Sequence, residues 1–361
     1  MQSFSFTDAF SSVQQWLFET LVQPAMFALG LGSLLEDGFT ATMWLMLGVL
    51  QILLLIIVVG PLQRWRPVDT ITDRATIRTD VIYTLIHRLG LFRLVLFFTV
   101  QPLLDAALGT LRGAGFGTFH LDAMWAGVTD LPWVSLLLYL VVLDFFDYWV
   151  HRGQHHFGWW WKLHSLHHAQ RQMTLFSDNR NHLLDDMLRD VLIVVIAQLI
   201  GVAPSQFVAI VVITQLSESF QHANVRIWFG QFGERLWVSP RFHRLHHSIG
   251  LGHESPIRRK QFSDGPALGS GTVAQPKLAQ SGGSAAHEVA SVGVTLGGSN
   301  FGVLLPWWDM LFKTANFELR YDPTGVRDQV EPAADGQVRD YGRGFWSQQW
   351  LGCKRLLSSK P

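Results

Sequence analysis

The run "MWLMLGVLQILLLIIVVGPL" at residues 43–62 constrains the chain more than any other feature, because it carries one polar side chain, Gln51, in twenty positions. At about 1.5 Å per residue, a helix of that length crosses the roughly 30 Å hydrocarbon core of a bilayer. The run is expected to be a true crossing and not a cleaved leader, since Met1 to Met43 contain no Lys or Arg and so lack the cationic start of a signal peptide. Two runs of similar character follow: "LGLFRLVLFFTVQPLLDAAL" at 89–108, where Arg93 can snorkel, and "LPWVSLLLYLVVLDFFDYWV" at 131–150. The runs 191–203 and 205–220 are shorter and are split by Pro204. They read as a helical hairpin that enters part of the bilayer. Residues 10–35 are apolar but interrupted by Glu19, Gln23, Pro24 and glycines, so segment 1–42 is either interfacial or one more span.

Composition agrees with lipid: 48% of residues are hydrophobic and 16% charged, against about 25% charged in soluble domains. Lys+Arg and Asp+Glu both number 28, so no net charge steers the chain to nucleic acid, and none is expected as a partner. Trp44, Trp65, Trp133 and Trp149 sit near the ends of apolar runs, as in an interfacial aromatic belt. Arg64, Arg66, Arg74 and Arg78 follow the first span, and Arg152, Lys162, Arg171, Arg180 and the basic stretch 241–260 flank the histidines. These segments are expected on one side, the cytoplasmic one. The expected organisation is an N-terminal segment (1–42), transmembrane helices with two histidine boxes (43–225), a third box (226–254), a flexible Gly/Ser/Ala-rich insertion (255–299) and a cytosolic C-terminal segment (300–361).

Twelve of the fifteen histidines fall between 151 and 253, and their spacing says more than their number. His151 and His155 form HxxxH; His164, His167 and His168 form HxxHH; His243, His246 and His247 form a second HxxHH. Positions three and four apart share a helix face, so each box is expected to aim its imidazoles at one point. His182 and His222 stand alone, and spacing does not decide them. His87, His120, His156, His253 and His287 read as solvated or hydrogen-bonded histidines. The only cysteine, Cys353, excludes a CxxC zinc site and covalent c-type haem. Eight to ten imidazoles exceed what one ion uses, which implies two metal ions. No HExxH is present, so a zinc hydrolase is disfavoured and iron with O2 chemistry is the better reading. No GxGxxG follows an expected strand, so electrons are expected from an external donor, a reductase or small redox carrier.

The stretches "DYWVHRGQH", "LHSLHH" and "SPRFHRLHH", followed by "NFGVLLPWWDMLFKT", resemble the fatty acid hydroxylase and sterol desaturase superfamily of integral-membrane di-iron enzymes. The resemblance covers about residues 130–315 apart from the insertion. It implies an all-α fold, a multi-pass transmembrane helical bundle capped by a cytosolic helical domain that carries the di-metal site. It implies ligation by the eight box histidines, and it adds His182, in an RxHxxE-like setting with Arg180 and Asp185, and His222, in a QHxN setting with Asn224. It further implies two Fe ions, O2 as co-substrate, and hydroxylation or desaturation of a membrane lipid: sterol, fatty acyl or related. Asp147 and Asp185, each one helical turn from a histidine, are candidates to orient imidazoles, and Asn224 and Asn300 join them as supporting residues. The chain departs from the family in placing about fifty residues between the last box and Asn300, and in having Gly298 at the usual Asp position. Two other readings are a histidine-lined divalent-cation transporter and an inactive lipid-binding relative.

Overall fold

The computed structural model describes residues 5–249, 298–332 and 336–358. His253, His287 and the stretch 255–297 of the expected insertion lie outside the described residues. Among the described residues there is no β-strand, only an isolated antiparallel bridge between Ser248 and Thr324.

The N-terminal helices α1 (Phe6–Leu17) and α2 (Gln23–Ala28) are joined through a π-helical turn, Phe18–Val22, and fold back on α3 (Leu35–Leu54). From Gly32 the helical path runs through α3, a second π-turn and α4 (Gly60–Trp65), giving a segment long and apolar enough to cross a membrane. Its outward residues, such as Leu53, Ile57 and Val58, remain exposed, as a lipid-facing surface requires. Gln51 is buried and accepts a hydrogen bond from Arg88 Nη1 at 3.0 Å, which explains one polar residue in an otherwise apolar run. Gly48 permits that approach: a Cβ there would stand 1.7 Å from the Arg88 carbonyl oxygen.

The expected span at 89–108 is not one helix. The structure has α5 (Arg74–Arg88), α6 (Leu91–Thr99) and α7 (Gln101–Gly113), with a 50° bend between α5 and α6. Gly90 adopts φ +82, which ends α5, and Pro102 at the start of α7 removes the N–H that a continuous helix would need. α5 and α6 together pass as a broken span, so the described helices offer two crossings, or three with this pair.

α8 (Pro132–His156) is the second clear crossing candidate. Along its buried face run Asp144, Asp147, Tyr148, His151 and His155, each three or four positions from another of the set, so one stripe of a lipid-compatible helix is polar. The chain turns at Phe157 into α9 (Gly158–His168). The hairpin is present as α10 (Leu183–Leu199) and α11 (Pro204–Gln221), turning at Gly201 with φ +78, and neither helix is among the crossing candidates. Short helices α12 (Gly230–Leu236), α13 (Pro240–His246) and α14 (Trp307–Leu311) follow, and α15 (Phe345–Leu357) packs across α9 and α5.

Candidate metal centre

Four elements deliver the histidines. His151 and His155 occupy the last two turns of α8, His164, His167 and His168 the end of α9, and His243, His246 and His247 lie on and just after α13. His222 is the C-cap residue of α11. α13 starts where it does because Ser239 Oγ accepts the Phe242 N–H and Pro240 holds the first helical position. The buried Glu234–Arg241 ion pair, which also engages Ser239, anchors this turn.

These nine side chains are buried and converge in two sets: His151, His155, His164 and His168 form one, and His167, His222, His243 and His247 the other. His168, His246 and His247 form a third grouping that bridges them, and within each set the available ligand atoms lie within 4.8 Å of one another. The ring of His246 is 4.5 Å from that of His151 and 4.7 Å from that of His155, on the first-cluster side. The expectation that each box aims at one point is therefore corrected for both HxxHH boxes. His164 and His168 face the first cluster while His167 faces the second; His243 and His247 face the second while His246 turns to the first. The cause is the helical step of about 100°, which sends consecutive histidines in different directions.

Outer contacts set the imidazole tautomers. Nδ1 of His151, His246 and His222 lies 2.8 Å from the carbonyl oxygens of Phe301, Ser299 and Glu218 respectively. A carbonyl only accepts, so each Nδ1 carries the proton and each Nε2 presents a lone pair inward. His164 Nδ1 donates to Asp185 Oδ2 at 2.9 Å, and its buried Nε2 has no hydrogen-bond partner. In the second cluster the Nε2 atoms of His167, His222, His243 and His247 follow one another at 3.1 Å. Lone pairs that close repel unless a cation stands among them, and ligands at about 2.0–2.1 Å from a tetrahedral ion lie roughly 3.3 Å apart. Burial, reinforced by neighbouring imidazoles, holds His167, His243 and His247 well below the ordinary imidazole range, in the neutral form that ligates metal. The donor set fits two metal ions held by imidazole.

The remaining sequence candidates fall elsewhere. His182 enters neither cluster: it caps α10, its Nδ1 accepting the Leu184 N–H at 3.2 Å while Nε2 donates to the Gln349 carbonyl at 2.9 Å. Asp185 orients His164, across the site, and its other oxygen accepts from Gln154 Nε2 and Trp160 Nε1, both at 2.7 Å. Asp147 contacts no histidine; Arg189 binds it at 3.0 Å and Glu218 at 2.9 Å. Asn224 secures the loop after the first span through the Val68 and Asp69 amides. Asn300, at φ +62, donates to the Phe242 carbonyl and so ties its loop to α13. Asp309 clamps the same loop through the Phe301 and Gly302 amides at 2.9 and 2.7 Å, steadying the carbonyls that hold His151 and His246. Sequence reasoning missed Asp309, Gln154, Trp160 and the three carbonyls. Backbone acceptors leave no mark in residue identity. Of the other histidines, His156 is exposed and His87 lies 3.3 Å from Asp186.

Three cavities adjoin in series toward the histidines. An apolar cleft of about 590 Å³ lies between α3, α6 and α7. It shares Arg93, Asp190 and Val194 with a polar chamber of about 140 Å³. That chamber shares Asp186, Arg189 and Glu218, among others, with a space of about 50 Å³ walled by His151, His164, His167, His222 and His243.

Fold and site together define a helical protein with membrane-crossing candidates and a buried, paired histidine centre. Residues 136–256 match the sequence model described as "Fatty acid hydroxylase", so this segment, which carries the three histidine boxes, is similar to that family. It is 29% identical over 114 residues (32% of this chain, 34% of the relative) to ornithine lipid hydroxylase OlsE of Rhizobium tropici. It is 35% identical over 99 residues (26% of this chain, 33% of the relative) to lathosterol oxidase of Homo sapiens. The matched segment thus spans about a third of the length of each relative. No solved structure matches.

Proposed function

We propose that the protein is a membrane-bound, O2-dependent oxidoreductase that hydroxylates or desaturates a lipid at a di-iron centre held by His151, His155, His164, His168 and His246 on one side and His167, His222, His243 and His247 on the other. The observation that carries this reading is the convergence of nine buried imidazoles at the inner end of cavities that begin in an apolar cleft. Bound iron would supply the activation of O2. The chain's own part is to fix the imidazoles through Asp185 and the loop carbonyls, to seat the apolar body of the substrate in the cleft, and to limit water around the reacting C–H. Hydroxylation consumes O2, an electron pair and two protons and returns the alcohol and water; desaturation consumes the same and returns the alkene and two waters. Those electrons come from an external donor. The basic residues around the boxes support placing the centre on the cytoplasmic side, and the division at residues 42, 225, 254 and 299 is retained as the domain organisation. Clusters gathered at the end of α8, not spread along a span, favour catalysis over cation transport.

The test is purified protein assayed for iron, then given reductant, O2 and a membrane lipid extract, with products read by mass spectrometry. Two irons per chain and an oxygen-dependent gain of one oxygen atom or loss of two hydrogens in a lipid are expected. Zinc without turnover, or metal flux in liposomes, refutes the reading.

A further inference from the structure

Helix α15 is built inside out. Its fully buried positions are Phe345, Gln348, Gln349, Gly352 and Arg355, so apart from Phe345 the inner face is polar or lacks a side chain. Hydrogen bonds hold that face. Gln349 Nε2 donates to Tyr83 Oη at 2.9 Å and to the Asn181 carbonyl at 3.0 Å, its Oε1 accepts the Leu183 N–H at 2.9 Å, and Arg355 Nε donates to the Lys162 carbonyl at 3.1 Å. Outward stand Trp346 at 79% exposure, Trp350 at 62% and Leu357 at 86%. At about 100° per residue these three and Cys353 fall within roughly 60° of one another, a single apolar stripe along the whole helix. Exposed Arg343 and Lys354 border it, the Lys354 ammonium lying 5.3 Å from the centre of the Trp350 ring. Water against that stripe would reverse the usual arrangement of a surface helix, apolar side inward and polar side outward.

The packing of α15 on α5 sets its depth. The close approach of Gly48, on the first crossing, to the Arg88 carbonyl puts the end of α5 at the level of Gly48. From Gly48 the apolar run continues to Leu62, about 21 Å along the helix, whereas the nine residues from Arg88 back to Thr79 cover at most about 13.5 Å. Thr79 therefore stops short of the hydrocarbon edge that Leu62 marks. Thr79 Oγ1 donates to the Arg343 carbonyl at 3.3 Å, and the Tyr83 ring packs on Phe345 with centroids 4.8 Å apart, so the start of α15 shares that depth. Ile82 and Leu85, beside this contact on α5, are exposed and continue the lipid-facing surface. We infer that α15 is an interfacial membrane helix, its Trp346, Trp350 and Leu357 stripe sunk at the boundary of hydrocarbon and headgroups in the leaflet that α4 reaches, with Arg343 and Lys354 turned to the lipid phosphates. At 13 residues the helix is too short to cross, and indole rings flanked by cations suit that boundary. It lies outside the segment 136–256 that carries the family likeness. Through the Lys162 carbonyl it ties α9, and with it the second histidine box, to the membrane surface.

The experiment places a nitroxide on the full chain in nanodiscs of phosphatidylcholine and phosphatidylglycerol. Its relaxation by O2, which concentrates in hydrocarbon, is compared with that by a water-soluble nickel chelate. Cys353, the only cysteine, lies on the stripe and is labelled without any substitution. Trp346→Cys and Trp350→Cys, each on a Cys353→Ser background, give two further sites. On the same background Ile57→Cys, on the exposed side of the first crossing, and Glu331→Cys, at an exposed polar position, are the lipid and water references. At both tryptophan positions the ratio of O2 to nickel accessibility is expected severalfold above that of Glu331→Cys and closer to that of Ile57→Cys, with the Cys353 label following them. Ratios at all three sites equal to that of Glu331→Cys place the helix in water and overturn the inference. Shielding from both relaxants marks a protein contact, with a second copy or another chain, and overturns it as well.

Discussion

Replacing Asp185 by Asn changes one oxygen for a nitrogen at the point that orients His164. The carboxylate accepts three hydrogen bonds, from His164 Nδ1 at 2.9 Å and from Gln154 Nε2 and Trp160 Nε1 at 2.7 Å, in a position 1% exposed. An Asn amide carries one acceptor oxygen, and its NH2 must then point at a group that is itself a donor. The cheapest relief is for His164 to move its proton from Nδ1 to Nε2, which removes the lone pair now facing the first cluster. Outer partners of this kind are worth roughly 10–100-fold in metal affinity, or about 1.4–2.7 kcal/mol. A chelator-competition titration of the first-bound and second-bound iron is the assay, with one of the two sites expected to weaken by that factor and the other to hold. Asp147→Asn is the control, because Asp147 touches Arg189 and no histidine, and it should change iron affinity less than about threefold. If both Asn variants titrate like the unaltered protein, the assignment of Asp185 as the group that sets the His164 tautomer is wrong.

Three other outcomes follow from the geometry. Ala at His155 and Ala at His243 should each lower bound iron from two per chain toward one, because each histidine belongs to a single cluster, and metal analysis of the two purified variants checks it. His182→Ala should leave the iron count at two yet lower the thermal midpoint, since it removes hydrogen bonds to Leu184 and Gln349 worth about 1–3 kcal/mol in a buried setting. Loss of metal in that variant would return His182 to the ligand set. Burial pushes the Asp309 carboxyl up to about 6 in the fold, above its usual 3.8. The raised value means the folded state prefers the protonated form, so this group's contribution is fully present below pH 3.8 and is lost as pH rises through about 6. Asp309→Asn should therefore flatten the stability profile between pH 4 and 7, by about 3 kcal/mol at most, in denaturation followed across that range. An unchanged slope would show that Asp309 ionises freely in the folded protein.

Much of the helical frame was legible because it rests on near neighbours. The run at 43–62 had to be helical and lipid-compatible from its own composition, and the α10–α11 hairpin was announced by Pro204. The break within 89–108 was harder to see. Its apolar content is interrupted only by Arg93, Thr99, Gln101 and Asp105, and the bend depends on Gly90 taking a positive φ, which glycine permits but does not require. The apolar run also hid a close approach, since only the position of Arg88 on α5 shows why residue 48 is glycine and residue 51 is glutamine.

By itself the sequence determined that three histidine boxes lie beside membrane-length helices, and that there are too many imidazoles for one ion. Spacing of three and four follows from the helical repeat, which every residue reports locally. The tertiary structure alone decided which histidines share a cluster. It divided each HxxHH between two clusters and separated two isolated histidines that looked alike, bringing His222 inward from the end of α11 and leaving His182 to cap α10. It also matched Asp185 to a histidine twenty-one positions earlier and His151 to a carbonyl 150 positions later. Convergence of that kind depends on the direction in which distant helices meet, and no local periodicity carries that direction.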